Sequence, residues 1–209
     1  PFFVEFFNYV KNIVTKLDFG YSYYSGNSIL SELSTRFPVS LKLGLISVLL
    51  TVVIGVPSGI ISATRQYSLL DYGVTFVSLF FAAVPGFWLS MIMILIFSSR
   101  LGWLPSSGLT DWTCYIMPVI ASSAQYVASV TRQTRSSMLE VIRQDYIRTA
   151  RAKGVSERAV IFRHALRNAL IPVVTLIGLQ AGAVISGSAI IEAVHSFPGM
   201  GSLMMTAIN

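Results

Sequence analysis

Four long stretches of the chain are apolar and free of Asp, Glu, Lys and Arg. They cover 43–64, 74–97, 112–131 and 169–191, each at least 20 residues long. About 20 residues of helix cross the roughly 30 Å hydrocarbon layer of a bilayer. The pattern therefore predicts four membrane spans, over about 41–64, 74–98, 112–134 and 169–192. The third window holds Gln125 and several serines, so it is the least apolar and is expected to lie among other helices. Ahead of them, Phe2, Phe3, Phe6, Phe7, Val10, Ile13, Val14 and Leu17 recur at helical spacing between polar residues, which predicts an amphipathic helix. Residues 19–38 are rich in Gly, Ser and Tyr and read as a loop, with Pro38 at the approach to the first span. This divides the chain into an external helix and loop, 1–38, and an all-α membrane domain, 39–209.

Composition agrees. Hydrophobic residues make up 54% of the chain and charged residues 11%, where soluble domains carry about 25% charge. The charges also orient the spans. Segment 132–168 holds nine Lys/Arg against Glu140, Asp145 and Glu157, a balance of +6. The pieces expected on the opposite side, 1–42, 98–111 and 192–209, balance to about zero. Excess Lys and Arg stays inside, so the loop 135–168 is expected in the cytoplasm of a multi-pass inner (plasma) membrane protein. The single cysteine, Cys114, lies in an apolar window and reads as packing. No basic stretch followed by a short apolar one marks a signal peptide at the start, and the chain reads as a piece of a longer one.

Pro57, Pro85 and Pro118 fall inside predicted spans, where each removes a backbone donor and kinks its helix. Gly55 with Gly59, and Gly178 with Gly182, are small pairs four apart, suited to close helix contact.

Segment 132–174 has a different pattern: two helices with a break between them. Met138, Val141, Ile142, Tyr146, Thr149 and Ala150 form one stripe of the first helix. Lys153 and Gly154 supply a cation in the last turn and a residue free to turn left-handed. Ser156 is placed to cap the second helix, Glu157 favours its positive end, and Val155 and Val160 occupy the positions of a hydrophobic staple. By charge and periodicity alone, this elbow is equally a basic surface resting on anionic lipid. Its arginines lack interleaved aromatics, which argues against nucleic acid as a partner.

The run DYIRTARAKGVSERAVIFRHALRNALIPVVTLIGLQ resembles the cytoplasmic EAA loop of bacterial ATP-driven (ABC) importer permeases, in the dipeptide, oligopeptide and nickel branch. LDFGYSYYSGNSILSELSTRFPVSLKL, FFAAVPGFWLSMIMILIFSSRLGWLPSSG and IIEAVHSFPGMGSLM resemble the same branch, in the same order. The resemblance implies a type I importer permease bundle, with one further span at each end of a longer chain. It implies that the loop docks on a partner ATPase, with Arg148, Thr149 and Ala150 at the family's Glu-Ala-Ala and Gly154 at its glycine. Arg148 departs from the acidic residue of that pattern, and His164 and Arg167 stand where many members have an apolar residue and a proline. An acidic contact would fall to Asp145 or Glu157, and Lys153 and Ser156 complete the expected docking set. The implied partners are a second homologous permease, two ATPase subunits or domains, an external solute-binding protein and the lipid bilayer. ATP and Mg are expected in the ATPase, and no cofactor in this chain.

Other chemistries fit less well. No GxxxxGK[ST] run occurs, so this phosphate-binding route is missing. His164 and His195 are expected on opposite sides of the membrane. Ser188 and His195 share a helical face, yet seven residues of helix span about 10 Å, too far for a nucleophile and its base. The chain reads as a non-catalytic permease. Gln125, Gln180, Ser186 and Ser188 are polar groups in apolar windows, available to line a solute pathway or to bond between helices. Glu192 is expected near the outer end of the last span, in the interface or in contact with a binding protein. A secondary transporter or channel subunit is the alternative, but it would carry coupling or gating charges inside its spans.

Overall fold

In the computed structural model, residues 2–23, 25–185 and 189–208 are described. Ser186 and Ser188 of the expected pathway set lie outside them. Helix α1, Phe2–Lys16, buries none of its residues, so its phenylalanine face is open.

Helix α2, Ile29–Thr64, runs for 36 residues, about 54 Å. It starts well before the predicted span, so the second half of the stretch read as a loop is helical. The polar residues there return their hydroxyls to the helix: Ser34 and Thr35 both donate to the carbonyl of Ser31, at 2.8 and 3.2 Å. Glu32 sits in the first turn and accepts from Ser25 Oγ at 2.5 Å. Pro38 and Pro57 are both inside the helix.

The second predicted span is two pieces. Helix α3, Leu69–Ala83, and helix α4, Gly86–Met93, extended by a π-helical stretch Ile94–Arg100, meet at a bend of 98°. Pro85 explains the break. Proline disfavours the helical conformation of the residue before it, and Val84 is extended (φ −80°, ψ 121°). The expected kink is therefore a full interruption.

A short 3₁₀ turn, Trp112–Tyr115, leads into helix α5, Ile116–Ile142. By length and apolarity α2 and the helix Glu157–Val184 suffice to cross a membrane, and the α3–α4 pair does so if its halves form one span. Helix α5 falls short of that apolarity because other helices cover it. Its buried residues include Ser122, Ser123, Thr131, Thr134 and Ser137, and α2, α3, α4 and α8 all pack on it. Gly55 and Gly59 make the α2–α5 contact close. A Cβ on Gly59 would lie 2.5 Å from Thr134 Cβ and 2.7 Å from the Thr131 carbonyl. Gly178, by contrast, has open space around its Cβ position, as does Gly182.

Helix α6, Asp145–Ala152, follows α5 after a two-residue turn. Helix α7, Glu157–Ala159, continues through a π-helical stretch, Val160–Ala165, into α8, Leu166–Ile185, which contains Pro172. Helices α9, Ala189–Val194, and α10, Met200–Ile208, close the described chain. Two apolar clusters hold the ends. One joins Ile60 and Ala63 to Met138, Ile147, Ala150, Val160, Ala165 and Ala169. The other joins Leu43, Val119 and Phe197 to Cys114, which is buried as packing.

Candidate functional site

The elbow is built from local rules. Helix α5 ends at Ile142, and Gln144 is extended (φ −70°, ψ 150°) before α6 restarts. The sequence stripe assumed one continuous helix. The turn at 143–144 rotates α6, so Ile147 is fully buried and Tyr146 and Thr149 face outward. Ile147 and Ala150 anchor α6 on Met138 and Val160. Asn168 Nδ2 donates to the Tyr146 hydroxyl at 2.7 Å, tying α6 to α8.

Gly154 ends α6 with φ +78°. Its N–H donates to the Arg151 carbonyl at 2.9 Å, and the Val155 N–H to the Ala150 carbonyl at 3.3 Å. That pair of bonds is a Schellman ending, which requires the left-handed residue that glycine supplies. Val155 and Val160 both pack in the apolar cluster beneath it. Ser156 occupies the cap position, but its side chain makes no capping bond. Across the turn, Arg151 instead clamps Glu157 with two bonds, Nε at 3.0 Å and Nη2 at 2.7 Å. The guanidinium holds the Glu157 carboxyl below its ordinary range.

The exposed surface of the elbow thus carries Asp145, Arg148, Thr149, Lys153, Gly154, Ser156 and Glu157, with Ala150 buried below. Arg148 and Asp145 stand 3.6 Å apart with exposed side chains, a weak pair free to exchange partners. Glu157 is already engaged, so Asp145 is the more available carboxylate of the two.

The intramembrane polar groups divide. Gln125 Nε2 donates to the Val84 carbonyl at 3.2 Å, across the α3–α4 break. That is the interhelical role weighed from sequence. Gln180 Oε1 is buried without a partner among the described residues.

Two clusters escaped the sequence reading. Asp71 is 2% exposed and accepts from Arg135 twice, at 2.7 and 2.9 Å, from the Tyr67 N–H at 3.0 Å and from Ser62. Glu192 is 1% exposed, so it is no interface residue. It accepts from Ser40 Oγ at 2.5 Å and the Ser202 N–H at 3.1 Å, and Ser40 Oγ accepts from the Met200 N–H at 2.8 Å. A lone carboxylate beside an apolar window was the only available signal for each; their partners come from distant segments.

A central helix packed by long apolar helices, with a polar elbow at one end, is the build of a helical membrane subunit. The chain belongs to the family of binding-protein-dependent transport system inner membrane components, matched over residues 55–209. It is 41% identical to the oligopeptide transport system permease protein AppB of Bacillus subtilis (98% of this chain, 68% of that protein). It is 39% identical to the glutathione transport system permease protein GsiC of Escherichia coli K12 (100% and 68%). The fold is similar to that of one chain in a solved structure of inward-facing conformations of the MetNI methionine ABC transporter, with a TM-score of 0.69 at 21% identity, covering 85% of this chain and 81% of that one. The chain is thus a permease of the ABC importer class and a multi-pass inner membrane component. In this class nucleotide binding and hydrolysis belong to a partner ATPase.

Proposed function

We propose that this permease forms half of the pathway of an importer for peptides or similar small solutes, glutathione included. In this reading a second homologous permease supplies the other half, and an external solute-binding protein delivers the solute. Two ATPase subunits or domains hold ATP and Mg and drive the cycle. Domain 39–209 spans the membrane, and residues 135–168 face the cytoplasm. The similarity to permeases whose names state oligopeptide and glutathione transport supports the solute class.

The observation that carries the coupling role is the construction of the elbow. Ile147, Ala150 and Val160 fix its inner face to α2, α5 and α8, while Asp145, Arg148, Thr149, Lys153, Ser156 and Glu157 remain exposed. Such an element moves as a rigid lever when a partner groove grips its exposed face. Coupling of that kind needs differential contacts in two states of the bundle. Gly154 sets the angle of the lever, and Arg148 or Asp145 makes the charged contact.

Solute-stimulated ATP hydrolysis by the reconstituted complex tests this. Gly154→Pro and Arg148→Glu are expected to insert normally while losing ATPase assembly or coupling. Normal coupling in both variants reduces the elbow to a basic connection and overturns the lever.

A further inference from the structure

Lys42 and Asp111 are the last charged residues before the apolar windows 43–64 and 112–131. At this end of the bundle, opposite the elbow, a cavity of about 340 Å³ opens between α2 and α5. Lys42, Ile46, Trp112, Tyr115, Ile116 and Ile120 are among its walls. Ile120 also lines a larger cavity, about 630 Å³, that continues between α2, α3 and α5 past Leu50, Ile54, Val77 and Phe81. Ile46, Leu50 and Ile54 follow Lys42 at one-turn spacing, so the two cavities make an apolar track along α2. Among the described residues that line it, Lys42 is the only charged one.

The mouth of the track is held in place. Tyr115 stands edge-on to the buried Phe197, with ring centroids 5.2 Å apart. Lys42 Nζ lies 4.4 Å from the centre of the Tyr115 ring, a cation–π contact that fixes the ammonium at the cavity wall. No carboxylate among the described residues lies within ion-pair distance of it. Asp111, on the same side, is engaged by Thr113, with the N–H at 2.9 Å and the hydroxyl at 2.5 Å. Trp112 is exposed beside the mouth. A tryptophan, a tyrosine and a lysine together at the edge of an apolar window mark the headgroup level of a bilayer.

We propose that this track is a binding site for one phosphatidylglycerol molecule of the leaflet opposite the elbow. Its phosphate pairs with Lys42, and one acyl chain lies along Ile46, Leu50 and Ile54. The site goes beyond the importer reading and needs only that the chain spans a membrane. Charge selects the occupant. A phosphate supplies the acceptors that the Lys42 ammonium lacks within the chain. An apolar helix seated on the seam would instead cover that ammonium with no acceptor, which is costly. Phosphatidylethanolamine brings its own ammonium beside Lys42, where like charges repel and Asp111 is already occupied. Phosphatidylglycerol brings the phosphate without that cation.

The test uses the assembled complex in phosphatidylcholine nanodiscs containing a trace of phosphatidylglycerol or phosphatidylethanolamine with a diazirine in the acyl chain. After photolysis, adducts are mapped by peptide mass spectrometry. Phosphatidylglycerol is expected to label Ile46, Leu50 or Ile54 about fivefold more than phosphatidylethanolamine, the effect of one charge near a membrane surface. Leu49 and Val53, both exposed on α2, report ordinary surrounding lipid and are expected to label equally with the two. Lys42→Gln is expected to bring phosphatidylglycerol down to the phosphatidylethanolamine level, and Lys42→Arg to keep the preference. Should Lys42→Gln misassemble, high salt on the wild-type complex is expected to weaken the preference in the same way. Equal labelling of the track by both lipids overturns the site, as does a preference that survives both Lys42→Gln and high salt. Adducts at Leu49 and Val53 with none in the track would show that another protein segment covers the seam, and overturn it too.

Discussion

Asp71 and Arg135, 64 positions apart, close on each other through two parallel hydrogen bonds, Nε to Oδ1 at 2.7 Å and Nη2 to Oδ2 at 2.9 Å. The pair ties the first turn of α3 to α5 beside the 65–68 turn. Ser62 of α2 and the Tyr67 N–H bond to the same carboxylate, so three helices meet at Asp71. A buried carboxylate is tolerable only with this many donors.

Removing one partner strands the other. Arg135→Met or Asp71→Leu is expected to destabilise the bundle by about 3 kcal/mol, the lower end for a broken buried pair because Arg135 keeps some water contact. The double variant is expected to lose less than the sum of the two. Thermal unfolding in detergent, run as a double-mutant cycle, measures this, and simple additivity would show that the pair contributes no coupling.

The α2–α5 contact depends on missing Cβ atoms. Gly59→Val is expected to force the helices apart, because its Cβ position already meets Thr134 and the Thr131 carbonyl. Overpacking of this kind costs about 1–3 kcal/mol. Gly178→Ala, with open space around it, is expected to leave the isolated chain's unfolding temperature unchanged. Equal losses at both positions would contradict the packing described.

Within the elbow, Ile147→Ala is expected to release α6 from its cluster at a cost of about 2–5 kcal/mol to the local structure. Amide hydrogen exchange across 145–152 reads this directly. Tyr146→Ala, on the exposed side, should change that exchange far less, apart from losing the Asn168 bond.

The Arg151–Glu157 clamp makes the elbow weakly acid-sensitive. Arg151 lowers the Glu157 carboxyl, so the clamp's contribution is complete above the unfolded value of about 4.3. It is lost as pH falls through the lower folded value. Both side chains are substantially exposed, which limits the effect to about 1 kcal/mol at most, smaller still at high salt. Protease cleavage near Gly154 should rise below pH 4 in wild type, and Glu157→Gln should show the raised rate already at pH 7. A wild-type rate flat from pH 7 to 3 would remove the clamp.

Features set by a residue of strong conformational preference, a glycine or a proline, were open to inspection in the sequence. Gly154 takes the left-handed conformation after Lys153 because only the last turn of α6 demands it. Pro85 stands at an interruption because its ring restricts Val84. The polar stretch 29–38 was misread because Ser34 and Thr35 satisfy their hydroxyls on the helix itself, which composition does not reveal. The stripe through Tyr146 and Thr149 failed for a related reason. One residue, Gln144, leaves the helical path with no Gly or Pro to announce it, and everything after it rotates.

The sequence by itself determined that this is a helical membrane protein with a capped elbow, and its motifs already resembled the importer permeases. Hydrophobic periodicity, caps and proline act over one or two turns, so they are written locally. Only the tertiary structure decided that Asp71 meets Arg135 and that Glu192 is buried under Ser40 and Ser202. Those relations depend on the relative placement of whole helices. That placement follows from contacts such as Gly59 against Thr134, and no spacing along the chain encodes it.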